Sequence, residues 1–287
     1  MEIKKEDIVR LRKTSGQPIM DCKKALQETN SFDEAFEYIR KNATEKIDER
    51  RKDRVASEGR VVIKGNSEHP RYGSKIAMVS LLCETDFTAK CDLFRVSLDK
   101  IADILLMDLP TGESVSIQID VQNGRLDEVD KIIDEVKAQT GEKVEIGQTY
   151  VIMVGENTSI GSYVHFDNKR AALVQFEANT NPEPLQQLGR DVSMHIVASQ
   201  PQFLDENDID WDKVDLEIPA SLLSKPPSII EKIAKGKKDK FKKERVLLNQ
   251  PYCLDDSITI DQAIKNVRRK EMMEITLKKF KHIEIGI

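Results

Sequence analysis

The sequence is short of aromatic residues, long apolar runs and excess positive charge, and each shortage excludes a class of protein. Aromatic residues make up 5% of the 287 residues, which is typical of an aliphatic core beneath a heavily charged surface. No apolar run approaches the roughly 20 residues of a membrane helix, and residues 1–12 lack the apolar centre of a signal peptide. We therefore expect a cytoplasmic protein. The net charge of -5 argues against a protein dominated by nonspecific nucleic-acid binding.

Cysteine and histidine are also scarce, and neither forms a pattern typical of a metal site. Each occurs four times, with no CxxC pair and no HExxH motif. Scattered cysteines favour reduced thiols over a disulfide framework. The sequence also lacks a P-loop, a GxGxxG turn and a Ser/His/Asp arrangement around a nucleophile elbow. We expect no catalytic residues, no metal and no cofactor.

Residues 1–44 carry three short amphipathic patterns separated by breaks. Apolar residues recur at helical spacing after the Ser15-Gly16 break, and Asn30 and Ser31 can cap a third helix. This pattern predicts a small three-helix bundle similar to ubiquitin-associated (UBA) domains. In the following ten residues, 45–54, nine are charged, four acidic and five basic. We interpret residues 45–56 as a solvated linker, helical or flexible.

Beyond the linker the apolar period changes from helical to alternating, which predicts hairpins followed by helices. When the chain is shifted by 95 positions, residues 76–81 align with residues 171–176 without a gap, and Ile101 aligns with Ile196. Two similar lobes follow, at residues 57–147 and 148–287. We predict an α+β fold in which the helical bundle precedes a duplicated, two-lobed core of antiparallel sheets packed with helices.

Four ordered motifs span nearly the whole chain, and together they resemble the signatures of the elongation factor Ts family. They lie at residues 15–26, 84–87, 194–203 and 249–252. The region 216–244 departs from the family, because Pro219 and Pro226-Pro227 leave room only for a shortened version of its helical hairpin.

The resemblance implies a guanine nucleotide-exchange factor without a catalytic centre of its own. Such a factor binds elongation factor Tu in its GDP-bound and nucleotide-free forms, loosens GDP and its magnesium, and leaves when GTP enters. The family's Thr-Asp-Phe element matches Thr85, Asp86 and Phe87. The resemblance therefore implies that Phe87 wedges into the partner's nucleotide domain, and the heterodimer can pair into a larger assembly.

Further partner contacts are expected on both sides of this element. Pro18, Ile19 and Met20 lie at the turn into the second helix of the bundle, and His195 lies in the second lobe. The residues alone leave an alternative open for two of these contacts. Met20 could belong to the bundle core, and His195 could be a packed helix residue.

The Thr-Asp-Phe element also has a plain structural alternative. Phe87 could turn inward to pack beneath the following helix, while Asp86 caps that helix. An exposed ring beside a carboxylate is costly in water unless a partner covers it, so the exposure of Phe87 separates the two interpretations.

A basic run at residues 225–245 supports a rival function. It holds nine basic residues against three acidic ones, but Phe241 is its single aromatic residue. The stacking pattern of a single-strand binder is missing, so we favour a solvated helix face and expect no RNA binding. The rival, a UBA-like module joined to a nucleic-acid-binding core, predicts strongly salt-dependent RNA affinity. An enzyme is the second rival.

Overall fold

The computed structural model describes residues 4–65, 74–108, 116–118, 127–179, 183–214 and 226–286. The helices in these ranges are α1 Lys5–Ser15, α2 Ile19–Glu28, α3 Phe32–Arg51, α4 Asp86–Lys90, α5 Asp92–Asp108, α6 Asp127–Thr140, α7 Glu183–Ser199, α8 Pro227–Arg245 and α9 Ile260–Glu271. The strands are β1 Glu58–Gly65, β2 Lys75–Cys83, β3 Ser116–Gln118, β4 Val144–Met153, β5 Thr158–Val164, β6 Arg170–Ala178, β7 Pro251–Tyr252, β8 Asp255–Thr259 and β9 Ile275–Glu284. None of the described helices has the length and apolar character needed to cross a bilayer.

Helices α1, α2 and α3 form the predicted three-helix bundle. Their apolar faces meet in a small core that includes Leu11, Cys22 and Ile39. Helix α3 is preceded by the N-cap Ser31, whose side chain accepts a hydrogen bond from the N–H of Glu34 at 3.2 Å, as an N-cap serine does. It continues to Arg51, so the first half of the predicted linker 45–56 is helical and extends the bundle.

Two larger antiparallel sheets and the short pair β7-β8 occur in the rest of the described residues. The first has the strand order β1-β2-β4-β3 and the second has the order β5-β6-β9. In each sheet the chain first forms a hairpin and then passes through helices. It returns as a strand that pairs with the second strand of the hairpin. The repeat of 95 residues aligns β2 with β6, the central strands of this shared arrangement. The predicted α+β class with a helical amino-terminal bundle is confirmed.

Both central strands are buried on two faces because the sheets pack against each other as well as against helices. On one face of β2, Ala77, Val79 and Leu81 contact α5 and α6. The corresponding face of β6 packs on α7 and α9. The opposite faces share an inner core between the sheets. Its buried members are Val61, Ile76, Met78, Tyr150, Ile152, Val154, Ala171, Leu173, Ile283 and Ile285. The core is therefore layered as helices, sheet, sheet, helices.

One predicted lobe limit differs from this arrangement. Strand β4 runs from Val144 to Met153 within the first sheet, so the sheet continues past the predicted division between residues 147 and 148. Within the expected shortened hairpin at 216–244, the described residues form helix α8 from Pro227 to Arg245, and the hairpin itself stays a prediction. Residues 215–225 lie outside the described residues.

Helix α7 crosses β5 at a contact between two glycines. A Cβ atom placed on Gly161 would lie 2.3 Å from the backbone carbon of Gly189, and one on Gly189 would lie 2.9 Å from the Gly161 Cα. Both distances are shorter than nonbonded atoms tolerate, so the absence of side chains lets the helix lie directly on the strand.

We expect Gly161→Ala to lower the free energy of unfolding by about 1–3 kcal/mol, because the added methyl forces α7 away from β5. Chemical denaturation followed by circular dichroism measures the loss. Gly236→Ala is the control, since a Cβ there meets nothing within 4 Å, and alanine within α8 should stabilise the protein by about 0.5–1 kcal/mol. Equal stability of the Gly161→Ala variant and the unmodified protein would contradict this close packing.

Candidate functional site

The Thr-Asp-Phe element forms the start of the short helix α4 at the exit of the central strand β2. Thr85 is the N-cap, and its hydroxyl accepts a hydrogen bond from the N–H of Thr88 at 3.3 Å. Phe87 lies in the first turn with 82% of its surface exposed. The alternative in which Phe87 turns inward is therefore wrong, and Thr85, not Asp86, caps the helix.

The carboxylate of Asp86 is held beside the exposed ring as an anion. Its Oδ2 accepts a hydrogen bond from the Lys90 ammonium at 2.7 Å, and this bond lowers the pKa of Asp86, with a smaller contribution from the charge of Lys169. Both members of the Asp86–Lys90 pair are exposed, so the pair contributes little to stability. It orients the carboxylate on the same helical turn as Phe87.

A carboxylate from the turn after α6 fixes the backbone that enters this element. One Glu142 oxygen accepts hydrogen bonds from the N–H groups of Glu84 and Thr85, both at 3.1 Å. The other oxygen accepts the Thr85 hydroxyl hydrogen at 2.6 Å. Charge-assisted bonds of this kind are among the stronger hydrogen bonds in proteins. Glu142 thus holds the strand exit in one conformation.

Glu84 forms the reciprocal half of the same contact. Its side chain is 7% exposed and accepts a hydrogen bond from the N–H of Lys143 at 2.8 Å. Arg51 and Arg54 also donate to it. Burial by itself raises the pKa of Glu84, but the Lys143 N–H and the two guanidinium groups overcome this effect and lower the pKa to about 2.

The helical bundle is attached to the same region. Arg51 is the last residue of α3 and pairs with Glu84. The side-chain amide of Gln17 donates to the carbonyl oxygen of Ala138 in α6 at 2.9 Å. The bundle is therefore connected to β2 and to α6, the two elements that support Thr85.

The predicted bundle residues are exposed at the turn into α2. Pro18 precedes the helix, Ile19 begins it, and Met20 is 72% exposed. The alternative that places Met20 in the bundle core is therefore wrong. These residues belong to a different element from the α4 turn.

His195 differs from the other predicted site residues because it is 1% exposed. Its Nε2 lies 2.9 Å from the side-chain oxygen of Gln250. The Gln250 amide nitrogen donates to the carbonyl oxygens of Ser199 and Glu244, which leaves its oxygen to accept a hydrogen from His195. Burial lowers the pKa of His195. The structure fits the packed alternative, and this conformation presents no His195 surface to a partner.

The turn between β5 and β6 carries a further exposed ring that sequence reasoning missed. Phe166 is 86% exposed. The turn rests against the start of β1, where the carbonyl oxygen of Asn168 accepts the N–H of Val61 at 2.7 Å and Lys169 pairs with Glu58. Because β1 pairs with β2 up to Cys83, this turn lies one strand away from the exit that leads to α4. The signal that could have indicated this exposed ring is a phenylalanine within the polar stretch His-Phe-Asp-Asn.

The Glu84 contacts should make stability depend on pH. The folded-state pKa of about 2 lies below the ordinary value of 4.5, so the stabilisation is complete above the unfolded-state value and is lost as pH falls toward 2. We expect Glu84→Gln to be less stable than the unmodified protein at neutral pH, with the difference shrinking between about pH 4.5 and 2. Urea denaturation across this range provides the measurement. A difference independent of pH would show that the charge of Glu84 contributes nothing.

Comparison with known proteins identifies the family. The family model described as elongation factor TS matches residues 84–287. The chain is 32% identical to elongation factor Ts of Limosilactobacillus reuteri (strain DSM 20016) over 291 residues, covering 99% of this chain and 93% of that protein. It is 31% identical to elongation factor Ts of Hydrogenobaculum sp. (strain Y04AAS1), with both chains fully covered, and 32% identical to that of Porphyromonas gingivalis (strain ATCC 33277), with 98% of each covered. The chain thus belongs to the elongation factor Ts family of translation elongation factors.

Proposed function

We propose that this chain promotes GDP release from elongation factor Tu and that the α4 turn is the element that displaces the nucleotide. The observation that carries the proposal is the exposed ring of Phe87 on a turn held by Glu142. A large apolar side chain displayed on a rigid support is typical of an interface anchor. Family membership supplies the partner.

In this mechanism Phe87 enters the nucleotide domain of the partner and separates side chains that help to hold magnesium. When the metal is displaced, the β-phosphate of GDP loses its counter-charge and its affinity falls. Asp86 stands beside the ring as an anion and would repel the phosphates or pair with a cation of the partner. The partner conformation with a weakened nucleotide site is then favoured, because it binds Phe87 better.

The rigidity of the turn matters for the energy available from one side chain. Ordering a flexible loop at an interface costs free energy that is subtracted from binding. Here the loop is already ordered by the contacts of Glu142 and Glu84. The free energy gained on inserting Phe87 can therefore be used to distort the partner.

Phe87 cannot supply the whole effect. Accelerating release by about ten-thousandfold requires roughly 5.5 kcal/mol of differential binding, whereas a buried aromatic anchor typically supplies about 2–4 kcal/mol. Additional contacts are needed, and Pro18, Ile19 and Met20 on the bundle are suited to provide them because they are exposed. Phe166 is suited for the same reason.

The proposed activity is exchange and requires no catalytic group on this chain. A factor that lowers the affinity of its partner for nucleotide must have its own affinity lowered by nucleotide to the same extent. Entering GTP therefore releases the factor, and no energy is consumed by the factor itself.

The direct test is Phe87→Ala, assayed by release of labelled GDP from elongation factor Tu of the same organism. We expect the exchange rate to fall by between about 30-fold and 1,000-fold, which corresponds to the loss of one aromatic anchor. The melting temperature should not change, because the ring lies in solvent.

Met107→Ala is the matched control, since Met107 is an exposed apolar side chain at the end of α5. Its exchange rate should equal that of the unmodified protein. Unchanged exchange by Phe87→Ala, or failure of the unmodified chain to accelerate GDP release at all, would refute the proposal.

The bundle contact is tested separately with Met20→Ala. Because Met20 belongs to another element, its loss should raise the concentration that gives half-maximal exchange by about tenfold and leave the rate at saturation nearly unchanged. Val9→Ala, which truncates an exposed residue of α1, should have no effect. A decrease of the saturating rate alone would instead assign Met20 to nucleotide displacement.

A further inference from the structure

Strand β9 is the edge of the second sheet and borders an open groove. Its pairing partner is β6. The groove is lined by the consecutive residues 278–282 together with Glu284, and its other walls include residues 201–204 and Tyr150. Successive side chains of a strand point to opposite faces, so a groove lined by consecutive residues follows the edge of the strand.

The backbone along this edge is available for pairing. Within the described residues, the backbone hydrogen bonds of β9 are those of its ladder with β6. An edge strand presents a row of unpaired N–H and C=O groups on its other side. The groove has a volume of about 750 Å³, which lies within the range of about 300–1,000 Å³ for ligand sites.

The side chains around the groove combine positive charge with apolar surface. Lys278 and Lys279 are exposed on the strand, and Lys278 pairs with Glu177 on β6. The Lys281 ammonium lies 5.1 Å from the centre of the Tyr150 ring. Phe203 and Phe280 add apolar surface.

The acidic residues of the lining already have partners. Glu284 accepts a hydrogen bond from Gln200, and Asp208 accepts the N–H groups of Leu204 and Asp205. These donors are neutral, so both carboxylates keep their charge, but oxygens of each are already engaged. The lysines of the lining without an acidic partner among the described residues are Lys279 and Lys281, and these are the groups that a carboxylate of a ligand would meet.

We propose that this groove binds an extended acidic peptide segment of another protein, which adds to the second sheet as a fourth strand beside β9. Such a segment would supply backbone donors and acceptors to the edge, carboxylates to the lysines and apolar side chains to the aromatic walls. The proposal does not depend on Phe87 or on nucleotide exchange.

Other occupants match the groove less well. RNA offers phosphates to the lysines but lacks the regular row of backbone N–H and C=O groups that pairs with an edge strand. A second copy of this chain pairing through β9 would bring lysines from both strands together, which is unfavourable. Lysines on an edge strand normally discourage pairing, and here they would admit acidic strands selectively.

The test uses the full-length, isotope-labelled chain and a short synthetic peptide of alternating glutamate and valine. On titration we expect the amide signals of β9 to shift and their hydrogen exchange to slow. Lys279→Glu should weaken binding by about tenfold, whereas Lys270→Glu, an exposed charge on α9, should have no effect. The exchange activity of Lys279→Glu toward elongation factor Tu should equal that of the unmodified chain, so this test and the test of Phe87 fail independently.

Two further ligands separate the alternatives. A peptide of the same sequence with N-methyl groups on its backbone keeps the carboxylates but cannot pair with a strand, and we expect it not to bind. An oligouridylate should not bind either. Binding of the methylated peptide equal to that of the parent, tighter binding of the oligouridylate, or no binding of the parent peptide would each overturn the proposal.

Discussion

Glu84 and Glu142 exchange hydrogen bonds between the exit of β2 and the turn before β4, and the exposed ring of Phe87 depends on this exchange. Glu142 accepts the N–H groups of the segment that leads into α4, while Glu84 accepts the N–H of Lys143 beside Glu142. Each carboxylate therefore satisfies backbone donors on the opposite turn. Arg51 compensates the charge of Glu84, which brings the end of α3 into the same network.

Elements with local signals could be predicted from the sequence, whereas the contacts that support the site could not. The apolar spacing of residues 8–39 predicts three helices, and Ser31 marks the start of the third. The Thr-Asp-Phe motif identified the α4 turn through resemblance to the family. Its support depends on Glu142, which lies 57 residues beyond Thr85. No local pattern separates Glu142 from the other acidic residues of a heavily charged chain.

The differences from expectation have physical causes. The linker takes the helical of its two expected forms as far as Arg51, because charged residues that are good helix formers continue a helix; the last helix of the bundle therefore passes the predicted limit at residue 44. Strand β4 continues across residue 147, because its pairing with β2 extends on both sides of that residue. His195 lies in one of the family motifs but is buried against Gln250, which lies in another. A motif alone does not distinguish residues that bind a partner from residues that bind each other.

The core shared by the two sheets makes the two lobes of the duplication depend on each other for stability. Ile76 and Met78 from β2 pack in one cluster with Ala171 and Leu173, the residues that the repeat aligns with them in β6. Either lobe alone would present this apolar surface to water, where it would promote aggregation. The two lobes therefore resemble the subunits of an obligate dimer that are joined in one chain. A fragment that contained only one lobe would need another surface to cover the apolar face of its sheet.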